Sequence, residues 1–206
     1  LEKIKNDQLQ TELKFLKSQY HPHFLFNALN TVYFQIDESN KAPRRTLEMI
    51  SELLRYQLYG GNQKVSILQE IDYLKTYIAL RKLRMSERLR LRVEFPPELN
   101  ELNIYPLLFL PLVENAFKYV GGDYQLDIIM KWENNRISLF IRNSIPELSA
   151  EDEALRKSVD ERQRKGIGLV NLRRRLSLLY PSKHRLETRK EETEFVAELM
   201  IEIEEI

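Results

Sequence analysis

The spacing of apolar residues changes partway along the chain. In the first part they recur every three or four positions, as on helix faces. Leu9, Leu13, Leu16 and Tyr20 form one stripe with coiled-coil spacing. Leu25, Leu29, Val32 and Ile36 form a second, and Leu47, Ile50, Leu54 and Leu58 a third. These stripes predict one helix over residues 1 to about 37 and another from near Pro43 to Gly60-Gly61. Ser66-Ile67-Leu68-Gln69 fits a capping box, opening a third helix that carries Ile67, Ile71, Leu74 and Ile78 towards Met85. From Leu89 the period becomes two. Leu89, Leu91, Val93 and Phe95 alternate with charged residues, as in a half-buried strand. A helix is then predicted from about Pro106 to Tyr119, and a hairpin over 124–132 and 136–143 turning at Asn134-Asn135. A charged connection (144–165), a helix from Gly168 to Tyr180 and two strands near 184–190 and 194–203 complete the chain.

The expected fold class is α+β. A helical module over 1–87 precedes an α/β module over 88–206, whose sheet is at least partly antiparallel with helices on one face.

Composition narrows the function. Lysine plus arginine (32) nearly balance aspartate plus glutamate (31), which argues against direct nucleic-acid binding. There are no cysteines, so disulfides, thiolate metal sites and thiol nucleophiles are excluded. No apolar run is long enough to span a membrane, and no signal peptide is visible. The chain starts at Leu1 and is helix-like from there, so it reads as a piece of a longer protein.

Two regions carry chemistry. The first is Gln19-Tyr20-His21-Pro22-His23-Phe24-Leu25-Phe26-Asn27. On a helical projection His23, Asn27 and Asn30 share a polar strip away from the apolar stripe of Leu25 and Leu29. His23 is either a surface histidine beside a proline kink or a phosphoacceptor. Imidazole is nucleophilic when neutral, and its ordinary pKa of about 6.5 leaves it so near pH 7. His21 is the rival nucleophile, and Asn27, one turn beyond His23, is placed to orient the ring.

The second region is a phosphate and metal site. Gly166-Ile167-Gly168 opens a helix, where backbone N–H groups and the helix dipole favour an anion; a tight turn also needs glycine. Glu114, Asn115 and Lys118 interrupt an otherwise apolar helix. They suit either a surface ion pair or a Mg²⁺–triphosphate, with Asn115 on the metal and Lys118 on phosphate. The charged 144–165 stretch is either a solvated loop or a cover over the phosphates.

Together these segments resemble the sensor histidine kinases of the LytS/YehU type. The phosphoacceptor segment is matched by QYHPHFLFNALN, followed by ISELLRYQL and LQEIDYLKTYIALRKLR. PLVENAFKY resembles the N box of the GHKL, or Bergerat, ATP-binding fold, and GIGLVNLRRRLSLLYP its G2 box. The resemblance implies a dimerising helical hairpin followed by a two-layer GHKL sandwich. It implies ATP and Mg²⁺ as cofactors and His23 as the phosphorylated residue. Glu114 would act in catalysis, Asn115 would bind the metal, Lys118 would contact phosphate, and Gly166 and Gly168 would flank it. It also implies a homodimer, a response-regulator aspartate as recipient (often on a LytTR-type protein), and a cytoplasmic core behind a membrane sensor that lies upstream. Where the family has Asp-x-Gly-x-Gly for adenine, this chain has Asn143-Ser144-Ile145-Pro146. Asn143 retains a carbonyl oxygen able to accept from the adenine amino group. The substitution also motivates an alternative, a non-catalytic dimeric scaffold that binds nucleotide weakly. A third reading, a GHKL ATPase clamp, gives the PHFLFN segment no role.

Overall fold

The computed structural model describes residues 22–59, 63–97, 99, 102–146 and 167–203. The Leu9–Tyr20 seam, His21, Gly60, Gly61, residues 147–165 and Gly166 lie outside them. The chain forms two units, Leu1–Gly61 and Asn62–Ile206. The sequence reading set the boundary near residue 87. The difference is the third helix, whose apolar stripe belongs to the core of the second unit.

In the first unit, α1 (Pro22–Gln35) and α2 (Lys41–Tyr59) form a helical hairpin. Its turn is closed by Asp37, whose carboxylate accepts from the backbone N–H of Ser39 at 2.8 Å. The Arg44 guanidinium donates to the Ile36 carbonyl at 3.2 Å and lies 4.7 Å from the Tyr33 ring centre. Phe26 stacks on Tyr59 at 6.2 Å. Leu25, Leu29 and Ile36 are half-buried, as the stripe predicts, but Val32 is exposed.

The second unit opens with β1 (Val65–Ser66) and α3 (Ile67–Lys82). The capping box forms as expected. Ser66 Oγ accepts from the Leu68 N–H at 3.3 Å, and Gln69 Oε1 accepts from the Ser66 N–H at 3.2 Å. There follow β2 (Arg90–Glu94), β3 (Asn103–Ile104), α4 (Leu110–Tyr119), β4 (Gln125–Glu133) and β5 (Arg136–Ser144). α5 (Ile167–Leu179), β6 (His184–Lys190) and β7 (Glu194–Glu202) close the unit. β1 pairs with β3, a short ladder that the sequence pattern did not predict, because two residues carry no period.

The main sheet has the order β2-β4-β5-β7-β6. β2 runs parallel to β4 and the other neighbours are antiparallel, so the sheet is mixed. The β4–β5 hairpin turns at Asn134 and Asn135, both with positive φ (51° and 59°), as a two-residue type I′ turn requires. Alternation gives the sheet one apolar face. Leu126, Ile128 and Met130 on β4 lie beside Ile141, Leu139 and Ile137 on β5 and Ala197, Leu199 and Ile201 on β7, all buried. α4 packs on β4 and β5, α5 packs on β6, and α3 packs on α4, sealing that face. The other face carries Asp127, Lys131, Arg142, Glu198 and Glu187. The fold is α+β, with helices layered on one face of a mixed sheet.

The loop between α4 and β4 is fixed by close packing. A Cβ at Gly121 would lie 2.8 Å from the Pro146 ring, too near for a stiff ring to yield. Gly168 has open space around its Cα. Gly121→Ala is therefore expected to cost about 1–3 kcal/mol in urea unfolding. Gly168→Ala, in a helix, is expected to be neutral or to stabilise by up to about 1 kcal/mol. Equal effects at the two positions would contradict the packing argument.

Candidate active site

On α1, His23 is exposed, and its Nδ1 lies 3.1 Å from the Asn27 amide nitrogen one turn on. Thr31 Oγ1 donates to the backbone carbonyl of Asn27 at 2.8 Å. An amide that donates to Nδ1 leaves the ring proton on Nε2. Turned over, the amide oxygen accepts from Nδ1–H and leaves the Nε2 lone pair facing outward. The orientation of the Asn27 amide thus corresponds to which ring nitrogen carries the proton. Asn30 is exposed as well, so the polar strip read from the sequence is present.

On α4, Leu112, Val113, Ala116 and Phe117 face the core, while Glu114 and Lys118 lie outward and Asn115 is half-buried. Among the described residues no ion pair joins Glu114 to Lys118. Lys118 Nζ sits 4.9 Å from the Tyr119 ring centre instead. Desolvation raises the Glu114 carboxyl above the ordinary range, and the Arg81 guanidinium opposes that rise. Tyr77 is also raised, first by desolvation and then by the charge of Glu114. Tyr77 and Arg81 both come from the last turns of α3. They flank Phe117, at 6.5 Å between rings and 5.6 Å from guanidinium to ring. Sequence reasoning missed these two residues. Their only signal was i, i+4 spacing on one helix.

Asn143 lies at the end of β5 on the helix-covered face, in register with Leu126 and Phe195, and is fully buried. Its Nδ2 donates to the Ser144 carbonyl at 3.2 Å. Its Oδ1 is buried and has no partner among the described residues. The orientation is enforced, because a flipped amide would set oxygen against the Ser144 carbonyl oxygen. Ser144 Oγ ties this strand end to the neighbouring loop, donating to the Gly121 carbonyl at 2.6 Å and accepting from the Gln125 N–H at 2.9 Å. Gly168 is exposed in the first turn of α5.

Among the described residues no three acidic or histidine side chains cluster as an all-protein metal site. A Mg²⁺ ion here would be held largely by substrate phosphates, the usual mode for that ion, with Asn115 as the protein ligand. The orphaned Asn143 oxygen fits a ligand carrying an N–H donor. A shallow depression on the outer sheet face, lined by Arg185, Glu187, Glu198 and Met200, includes none of these residues.

Comparison with known proteins gives the family context. The histidine kinase family model matches residues 11–89, the stretch that holds His23. Sensor protein kinase HptS of Staphylococcus aureus (strains USA300 and NCTC 8325) is 29% identical over 180 residues, 85% of this chain and 35% of the relative. The chain is thus similar in sequence to a sensor protein kinase over most of its length. It spans about a third of the length of these curated relatives. Among solved structures, Acinetobacter baumannii histidine kinase AdeS is similar over 91% of this chain and 98% of its own, at 14% identity and TM-score 0.44. The catalytic domain of histidine kinase ThkA is similar over 68% of this chain and 93% of its own, at 17% identity and TM-score 0.44. No described helix is long and apolar enough to cross a membrane.

The Arg81–Glu114 relation makes a testable prediction. With the guanidinium removed, desolvation of Glu114 is less opposed and its protonated form is favoured. Arg81→Gln is expected to move the Glu114 titration midpoint to higher pH in carbon-13 carboxyl NMR, and Arg81→Lys to move it less. A midpoint unmoved or lowered in Arg81→Gln would show that the cation does not act on this carboxylate.

Proposed function

We propose that this chain is the kinase core of a two-component sensor of the LytS/YehU type, with a GHKL-type nucleotide site in its second unit. The observation that carries the proposal is His23, an exposed imidazole hydrogen-bonded to Asn27 inside the segment matched by the histidine kinase family. The reaction is phosphoryl transfer from ATP to His23, followed by transfer to an aspartate of a response regulator of the LytTR type. ATP is the γ-phosphoryl donor, and a Mg²⁺ ion held by Asn115 and the phosphates would supply charge neutralisation.

The residues divide the work. The His23 nitrogen forms the new N–P bond as the bond from the γ-phosphorus to the ADP oxygen breaks. Glu114 takes up the ring proton, and its raised carboxyl pKa suits a group that must hold a proton transiently. Asn115 and Lys118 orient the polyphosphate, with Gly166 and Gly168 beside it. Asn143 accepts from the base. Catalysis by positioning and charge neutralisation needs no covalent enzyme chemistry beyond the phosphoimidazole. The active form is a homodimer built on the helical hairpin, in the cytoplasmic part of a membrane-attached sensor. Asn143 in place of aspartate favours the alternative, a dimeric scaffold without turnover.

Incubation with γ-labelled ATP and Mg²⁺ separates the two. The kinase reading expects acid-labile, base-stable label that is lost in His23→Gln. It expects Glu114→Gln to slow labelling by about 10²–10⁴-fold, the usual worth of a positioned acid–base group. Absence of label in the homodimer, with Mg²⁺–ATP bound, would contradict it and leave the scaffold.

A further inference from the structure

α3 carries a carboxylate in the middle of its apolar face. Ile67, Ile71, Leu74 and Ile78 form the buried stripe, and Glu70 lies within it, fully buried. Its Oε2 accepts from the backbone N–H of Leu107 at 2.9 Å. Leu107 has φ 57°, a left-handed conformation that a leucine does not take up unaided. The same turn is held from the opposite helix. On α5, Arg175 donates to the Pro106 carbonyl at 2.8 Å and to the Leu107 carbonyl at 3.4 Å. Just after α5, Tyr180 Oη accepts from the Tyr105 N–H at 3.2 Å.

This turn leads directly into α4, which has no side-chain cap of its own at Phe109. The direction of α4 is therefore set by the restraints on residues 105–108 rather than by a capping residue. Glu114 and Asn115 sit one turn further along that helix. α3 meets α4 again at its far end, through Tyr77 and Arg81 on Phe117.

We infer that Glu70 is a positioning residue for the nucleotide site. Its carboxylate holds Leu107 in the left-handed turn, and the held turn fixes where α4 presents Glu114 and Asn115. The inference rests on the kinase reading for what is positioned. It also makes α3, the helix by which the chain enters the second unit, the element that sets the geometry of that site.

The test compares wild type with Glu70→Gln and Glu70→Leu, reading amide exchange and labelling kinetics. Glu70→Leu completes the apolar stripe but leaves the Leu107 N–H without its acceptor. Exchange at Leu107 and in the first turn of α4 is expected to rise about tenfold or more, while core amides of β4 and β5 stay protected. The labelling rate at saturating ATP is expected to fall about 10–100-fold, the scale of a misplacement of about 1 Å, with a smaller change in the ATP concentration for half-saturation. Glu70→Gln keeps a neutral acceptor and is expected to fall between the two. Unchanged exchange and rate in Glu70→Leu overturn the inference. If Glu70→Leu does not fold, Glu70→Gln decides alone. Faster exchange at Leu107 supports the role, and wild-type exchange there overturns it. If the wild type takes no label, the kinase reading fails, and the exchange data still decide whether Glu70 positions α4.

Discussion

Every buried polar atom of the second unit needs a partner, and that constraint orders the whole site. Leaving a buried group unmatched costs about 1–3 kcal/mol, a sizeable share of a domain's stability. The buried polar residues among those described are Glu70, Asp127, Asn143 and Ser144. Glu70 is matched by the Leu107 N–H. Asp127 is matched by Arg142 at 2.7 Å, its in-register neighbour on the outer face. Ser144 is matched by Gly121 and Gln125. Asn143 keeps its buried Oδ1 without a partner among the described residues. The first three matches hold strands and turns in place. The fourth position points to a ligand.

The two units solve different problems with the same apolar material. The second seals a sheet face completely. In the first, α1 buries no residue and α2 buries only Met49 and Leu53. Phe24 and Phe34 remain 71% and 78% exposed. Two short helices with so little core gain stability mainly by further packing, which accords with the proposed homodimer. The exposed imidazole of His23 shares α1 with those phenylalanines. A phosphoacceptor must be reachable, so it belongs on the solvent side of such a hairpin.

Much of this was legible in the sequence because it rests on local period. The strands with alternating residues, the Asn134-Asn135 turn and the Ser66 capping box are set by neighbours within a few positions. The strip of His23, Asn27 and Asn30 was legible for the same reason. What escaped was long-range. The β1–β3 ladder is too short to show a period. The third helix was assigned to the helical module because a stripe does not reveal what it packs against. Glu70 was not singled out from the sequence, because its partner lies 37 residues away. Nothing in a leucine announces the left-handed turn at Leu107. The proposed role of Asn143 came from alignment with a family pattern; its buried, unmatched oxygen is a structural finding.

The most direct test of the central claim, that the orphaned Asn143 oxygen receives a nucleobase amino group, is a calorimetric comparison of ATP with ITP in the presence of Mg²⁺. ITP carries a carbonyl where ATP carries the amino group, so it offers two acceptors to each other across a buried contact. The account predicts ATP binding tighter by about tenfold or more, the worth of a hydrogen bond that becomes an unpaired buried group. It also predicts that Asn143→Leu removes most of that preference. Equal affinity for the two nucleotides in the wild type would contradict the account.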